Sequence, residues 1–215
     1  MSIESIESIE SIESIANINK ILNLYIKYGN NDYIGEGITQ IEHGLQCAEI
    51  AVKDKRLLDY NEYVRNCVIV AALLHDIGHL CGIENNYTEM KDDNCFNGAS
   101  LGIVGHEGIG SSFLHDCGLP LLVCKLVKSH VAAKRFLCTT RTGYYDTLSE
   151  ASKETMKMQG GFMCNEEILL FTSDELYELK VFIREYDDLG KDCNNSECKQ
   201  NNIDKYKNII QKLLL

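Results

Sequence analysis

The amino-acid sequence predicts an all-α fold. Three observations carry that expectation. A single proline, Pro120, occurs in 215 residues. Apolar residues recur at steps of three and four over long stretches, and no segment alternates apolar and polar residues as a half-buried strand does. The 45% hydrophobic content is that of a globular chain, and this length suffices for one domain with a sizeable core.

The first element is a repeat. Residues 2–15 read Ser-Ile-Glu four times and then Ser-Ile. A three-residue step on an α-helix turns each Ile backward by about 60°, so no single apolar stripe forms. Residues 1–15 are therefore expected outside the core, as a frayed helix or a disordered arm, with one domain over residues 16–215. Ile15, Ile18, Ile21, Leu22 and Tyr25 follow at helical spacing, and Gly29 ends that helix. Residues 30–37 form a loop containing Tyr33 and Glu36. Thr39-Gln-Ile-Glu42 is a capping-box signature opening a helix over about 40–55. Another helix runs from Asn61 or Tyr63 to Ile77. The polar, Asn/Asp-rich stretch 83–101 reads as a long loop. Helices are expected over 103–116, 120–137, 148–158, 164–171, 174–188 and 203–214, with a surface loop from Cys193 to Asn202.

Net charge is −11 and the pI is near 5.0. That argues against nucleic acid as a partner, which requires a basic footprint. No apolar run reaches the length that spans a bilayer, and no signal peptide opens the chain, so no membrane partner is expected. The ten cysteines are scattered, mostly in apolar stretches, without a Cys-x-x-Cys. They read as reduced thiols and favour a cytoplasmic location; a Cys193–Cys198 pair is the minor alternative.

The chemistry lies in the histidines. Five of the six, His43, His75, His79, His106 and His130, form an ordered series with Asp76 directly after His75 and an acidic pair, Asp187-Asp188, near the end. Imidazoles and carboxylates supplied from several helices are what a two-metal site in a helical bundle needs. His43 shares a helix face with Gln46, Cys47 and Ile50. His75 and His79 are four apart on one face. His106 is in phase with Ile109 and Phe113, and His130 continues the Leu122, Leu126 stripe toward Lys134. Arg184, Asp187 and Lys191 lie at offsets of three and seven, placing two cations around one carboxylate. That phase favours Asp187 over Asp188 as a ligand and leaves positive charge for an anionic ligand. His115 is about 180° around the helix from His106 and belongs to the helix end.

Singly, an inward histidine is more often a hydrogen-bonded core residue than a ligand. Several together with His75-Asp76 reverse those odds, because so many buried imidazoles without a common partner are costly. Arg135 reads as half of a solvated charge pair.

The series resembles the HD-domain superfamily, and more narrowly its mixed-valent diiron oxygenases that cleave phosphonates, with myo-inositol oxygenase more distant. The matching segments are Tyr33-Ile-Gly-Glu36-Gly-Ile-Thr39-Gln-Ile-Glu-His43, Leu74-His75-Asp76-Ile-Gly-His79, Gly105-His106-Glu107-Gly-Ile-Gly110 and His130-Val-Ala-Ala-Lys134-Arg135. They continue with Leu148-Ser-Glu-Ala-Ser152, Met158-Gln159-Gly160-Gly161 and Arg184-Glu-Tyr-Asp187-Asp188-Leu-Gly-Lys191. The resemblance covers roughly residues 20–192 and implies an HD-domain helical bundle with a metal site in its core.

It further implies two iron ions, Fe(II)/Fe(III), with O2 as co-substrate. His43, His75, Asp76 and Asp187 would hold one iron, and Asp76 would bridge to a second held by His106 and His130. His79, Lys134, Ser152, Gln159 and Arg184 would contact a small anionic substrate, a 1-hydroxyphosphonate whose C–P bond is cleaved with release of phosphate. Tyr33 and Glu36 match a loop that occupies the metal site until substrate displaces it. The Asn/Asp-rich stretch before His106 departs from the family pattern and bears on the pocket entrance. The competing reading is an HD phosphohydrolase acting on a nucleotide or phosphate ester, in which metal-bound water attacks phosphorus. A non-catalytic metal or small-ligand binding module is the third.

Overall fold

The computed structural model describes residues 3–33, 35–91, 100–195 and 203–214. The described elements are α1 (Ile3–Tyr28), α2 (Gln40–Lys53), a 3₁₀ turn (Lys55–Asp59), α3 (Glu62–Leu74), α4 (Ile77–Asn85), β1 (Glu89–Lys91), β2 (Ser100–Ile103), α5 (His106–Asp116), α6 (Leu121–Thr140), α7 (Tyr144–Thr147), α8 (Glu150–Met158), α9 (Asn165–Thr172), α10 (Tyr177–Leu189) and α11 (Asp204–Leu214). The fold is all-α, with one two-stranded antiparallel hairpin.

Local chemistry explains most boundaries. The capping box at α2 is formed: the Thr39 N–H donates to Glu42 Oε2 at 2.8 Å, and the Glu42 N–H to Thr39 Oγ1 at 3.4 Å. Asn61 caps α3 by accepting from the Val64 N–H at 2.9 Å, so the helix starts at Glu62. Helix α3 is the central rod, buried from Cys67 through Leu74. It packs among α2, α6, α10 and α11, and its neighbours contribute Ile21, Leu45, Leu126, Ile183 and Ile210 to one core. A smaller cluster under α7–α9 is built on Phe136, Met156 and Phe171.

Helix α3 stops at Leu74, and Asp76, at φ −99° and ψ 7°, turns the chain into α4. The two axes meet at 46°. The sequence reading ran one helix on to Ile77, because no Gly or Pro marks the break at His75-Asp76. Gly78, just after the turn, lies so close to α5 that a Cβ there would collide with the His106 carbonyl. The stretch read as a loop over 83–101 also differs. Helix α4 continues to Asn85, and β1 pairs with β2. Strands of three and four residues are too short to leave a period-two signal. Helix α5 consequently begins at His106 rather than 103, after Gly105 in the left-handed region at φ +69°.

Helix α1 runs through the Ser-Ile-Glu repeat from Ile3, with Ile12 and Ile15 67% and 48% exposed, and joins the core from Ile18. The eight described cysteines are free thiols, six of them buried; Cys198 lies outside the described residues. Among the described residues no single helix is long and apolar enough to cross a membrane.

Candidate metal centre

Four helix-borne histidines converge on Asp76, each fixed the same way. The Nδ1–H of His75 donates to the Ala72 carbonyl at 2.9 Å, that of His106 to Ile103 at 3.2 Å, and that of His130 to Val127 at 2.7 Å. Each of these carbonyls is three residues upstream. His43 donates instead across the fold, to Gly190 at the end of α10, at 2.9 Å. A carbonyl only accepts, so all four rings carry a proton on Nδ1 and turn Nε2 inward.

Those Nε2 atoms face each other in two couples. His43 Nε2 lies 3.1 Å from His75 Nε2, and His106 Nε2 lies 2.9 Å from His130 Nε2. Two Nε2 atoms at that distance need a shared proton or a metal cation between them. Two ligands at right angles about 2.0–2.1 Å from one metal are separated by about 2.9 Å, so the spacing fits. Asp76 stands between the couples. Its Oδ2 is 3.3 Å from His75 Nε2 and 3.7 Å from His43 Nε2; its Oδ1 is 3.5 Å from His106 and 3.4 Å from His130. Asp187 Oδ1 faces the first couple at 3.4 Å from His43 Nε2, buried and without a hydrogen-bond partner. An orphaned carboxylate oxygen beside inward Nε2 atoms is a donor set that suits a cation. The residues fit metal ions: His43, His75 and Asp187 would offer one set of donors and His106 and His130 another, with Asp76 open to both.

Cys47 is also near His43, with Sγ 3.9 Å from Nδ1 and 3.8 Å from Nε2. Near-equal distances put the sulfur over the ring rather than in line with the lone pair, and its thiol donates to the Tyr186 carbonyl at 3.3 Å. Asp187 completes the first donor set and Cys47 packs beneath it. The Tyr33 ring stacks on His43 at 4.0 Å between centroids.

Burial opposes ionisation of both carboxylates, but their partners win. The protonated ring of His75 foremost holds Asp76 well below the usual carboxylate range, and Arg184 does so for Asp187. Arg184, 3% exposed, donates to Asp187 Oδ2 at 2.7 Å, to the Tyr144 hydroxyl at 2.9 Å and to Asp188. Asp188 is thus engaged by the guanidinium, while Asp187 Oδ1 faces His43.

Beside these donor sets lies a cleft. Lys134, Lys191 and Arg184 line one side. Burial, with help from Arg184 and Lys191, pushes the Lys134 amine down to about 7. It donates to Thr155 Oγ1 at 3.0 Å and has donors to spare. Lys191 Nζ lies 3.6 Å from Glu36 and 3.9 Å from Asp187. Ser152 and Gln159 line the same cleft from α8 and its end, and Gln159 Oε1 is buried without a partner. His79 stacks on His106 at 3.9 Å and accepts the Ile103 N–H on Nδ1 at 3.0 Å, which leaves Nε2–H to donate. Burial, opposed by Asp76, takes its pKa to about 4, so the ring is neutral at pH 7.

The thirteen residues singled out in the sequence thus all line this cleft or border the ion positions. His115 sits in the last turn of α5 with its side chain 62% exposed, away from the cluster. Arg135 corrects the sequence reading. Its guanidinium is no solvated partner of Lys134 but a clamp: it grips Glu167 at 2.7 and 3.0 Å and the carbonyls of Gly161 and Gly160 at 2.8 and 3.2 Å. Gln40, Met90, Leu101, Val131 and Thr155 were not singled out, yet line the cleft. Gln40 had a signal, being one turn before His43. The apolar residues had none that separates them from core.

Comparison with known proteins agrees with this architecture. Residues 41–158 match the HD domain family. The chain is 39% identical over 173 residues to uncharacterized protein L432 of Acanthamoeba polyphaga mimivirus, covering 80% of this chain and 72% of that one. It is 33% identical over 168 residues to the [1-hydroxy-2-(trimethylamino)ethyl]phosphonate dioxygenase (glycine-betaine-forming) of Leisingera caerulea, covering 78% and 76%. It is 32% identical over 171 residues to the hydroxymethylphosphonate dioxygenase of Gimesia maris, covering 80% and 76%. With a matching domain over more than half its length and relatives along most of the rest, the chain belongs to the HD-domain family, as a metal-dependent enzyme similar to its phosphonate dioxygenases.

Proposed function

We propose that the protein is a dinuclear-iron oxygenase that cleaves the C–P bond of a small 1-hydroxyphosphonate. The observation that carries this reading is Asp76, set between two imidazole couples, with an anion-binding wall of Lys134 and Lys191 on the same cleft. Two relatives similar over most of the chain are named as hydroxyphosphonate dioxygenases. When bound, the iron pair supplies the redox chemistry that brings O2 to the hydroxylated carbon. The reaction balances as R–CH(OH)–PO3²⁻ plus O2 giving R–COO⁻, HPO4²⁻ and H⁺.

The chain's own residues do the rest. His43, His75 and Asp187 hold one side of Asp76; His106 and His130 hold the other. Lys134, Lys191 and Arg184 neutralise the phosphonate, with Ser152 and Gln159 completing its shell. His79 offers Nε2–H to a substrate oxygen. Tyr33 and Glu36 cover the first position, and their withdrawal admits the substrate. The substrate is thus a small anion, in line with a chain whose acidic balance disfavours nucleic acid.

The test is direct. Protein purified without oxygen is expected to hold about two irons per chain and to release phosphate while consuming O2 with hydroxymethylphosphonate. No O2 uptake, together with brisk nucleotide hydrolysis in Mn²⁺, would select the phosphohydrolase.

A further inference from the structure

Gln46 is 3% exposed and uses both ends of its amide. It stands on α2 one turn after His43, on the same inward face. Its Oε1 accepts the Asp192 N–H at 2.9 Å, and its Nε2 donates to the Asp192 carbonyl at 3.0 Å. A backbone N–H only donates and a carbonyl only accepts, so the orientation of the amide is fixed by its partners. A side-chain amide that meets both backbone groups of one residue holds it as a paired antiparallel strand would.

The segment so held is the one that leaves α10. The Gly190 N–H closes the helix on the Tyr186 carbonyl at 2.9 Å, and from there the chain crosses α2. Three α2 side chains take hold of it: the His43 ring at the Gly190 carbonyl, Cys47 at the Tyr186 carbonyl and Gln46 at Asp192. The crossing is close, since a Cβ on Gly190 would collide with Cys47 Sγ. Lys191 lies between two held residues. Its side chain leaves this pinned backbone for the cleft, where Nζ is 3.5 Å from Ser152 Oγ and 3.9 Å from Asp187 Oδ1.

Two functional groups therefore hang on one strap. His75, His106 and His130 are oriented by carbonyls of their own turns, but the acceptor for His43 is 147 residues away in sequence. A carbonyl that distant orients a ring only if something else holds it in place. The Gln46 amide supplies that second tie, two residues beyond Gly190.

Resting on the proposed reading for the identity of the ions and the anion, we infer that Gln46 is a positioning residue. It fixes the 190–192 strap, and through it both the His43 imidazole at the first donor set and the Lys191 ammonium at the anion-binding wall.

Two variants test this. Gln46→Met keeps the bulk and removes both bonds; Gln46→Asn keeps the amide but is too short to meet both groups. In the metal-free, isotope-labelled full chain, the ring Nδ1–H of His43 and the amides of residues 190–192 are expected to exchange with water about tenfold faster by NMR. The ring signals of His75, His106 and His130 and the amides of α3 should keep their wild-type rates. Loaded anaerobically, the variants are expected to bind the first iron about 10–100-fold more weakly and the second as the wild type does, so that dialysis leaves about one iron per chain. Sulfate affinity should fall about tenfold, the worth of one charge-assisted hydrogen bond. An unmoved His43 signal would overturn the inference. So would an equal loss at all four rings and both irons, which would make Gln46 an ordinary packing residue. Unchanged sulfate binding would strike out the Lys191 half. Wild-type protein that binds no iron would overturn the functional reading instead, and the ring signals of the metal-free chain would still decide the role of Gln46.

Discussion

Arg184 is the place where the site's charge balance can be tested without any substrate. Its guanidinium is 3% exposed and serves Asp187, Asp188 and Tyr144 at once. Arg184→Met keeps the side chain's bulk but leaves two carboxylates, one fully enclosed, without their cation. Removing one partner of a buried ion pair costs about 3–5 kcal/mol, because the other charge stays behind. For a chain of this size about 1 kcal/mol moves the melting temperature by about 2–4 °C, so a drop of about 6–20 °C is expected in the metal-free protein. In the iron-loaded protein a cation faces Asp187 from the other side, and the drop should shrink. Arg184→Lys should recover only part of the loss, since one ammonium cannot span three acceptors. Calorimetry on both forms at pH 7 reads all of this. A metal-free Arg184→Met protein melting within about 3 °C of wild type would refute the reasoning, for it would mean that neither carboxylate depends on the guanidinium.

Three further outcomes are expected. Asp76→Ala should lose both irons, because its two oxygens face both imidazole couples, whereas Asp187→Ala should retain about one per chain; elemental analysis of anaerobically purified protein separates these cases. Lys134, with a folded pKa of about 7 against 10.5 for the free side chain, binds its proton more weakly in the folded state. Its contribution therefore penalises stability fully below pH 7, and the penalty fades as pH rises toward 10. Sulfate, whose charge is constant over this range, should bind best below pH 7 and weaken above it, and Lys134→Met should remove that step in a titration. Arg135→Met should free the Gly160–Phe162 turn, seen as faster amide exchange over residues 159–163 and a higher KM with iron content unchanged; wild-type exchange there would contradict the clamp.

What the sequence disclosed follows from the range of each cause. The Thr39 capping box, the Asn61 cap and the phase that separates Asp187 from Asp188 are local, and each was readable from spacing alone. The convergence of His43, His106 and His130 on Asp76 was readable because four inward imidazoles need a common partner. The break at His75-Asp76 was not, since no local breaker marks it, and the need for a glycine at Gly78 shows only once α5, nearly thirty residues later, lies against it. Met90 and Leu101 look like any buried apolar residue until the hairpin brings them to the cleft. Arg135 misled for the same reason: beside Lys134 it resembles a surface pair, and its true partner, Glu167, is 32 residues away.

The anchoring of the histidine rings divides the centre into a local and a long-range half. His75, His106 and His130 are each oriented by a carbonyl of their own turn, so Asp76 and the second couple need only the chain through α6. His43 waits for Gly190, and its partner Asp187 lies in the same late segment. The ring orientations of the second couple thus depend only on residues near them in the chain, whereas the first couple is closed by residues from its far end.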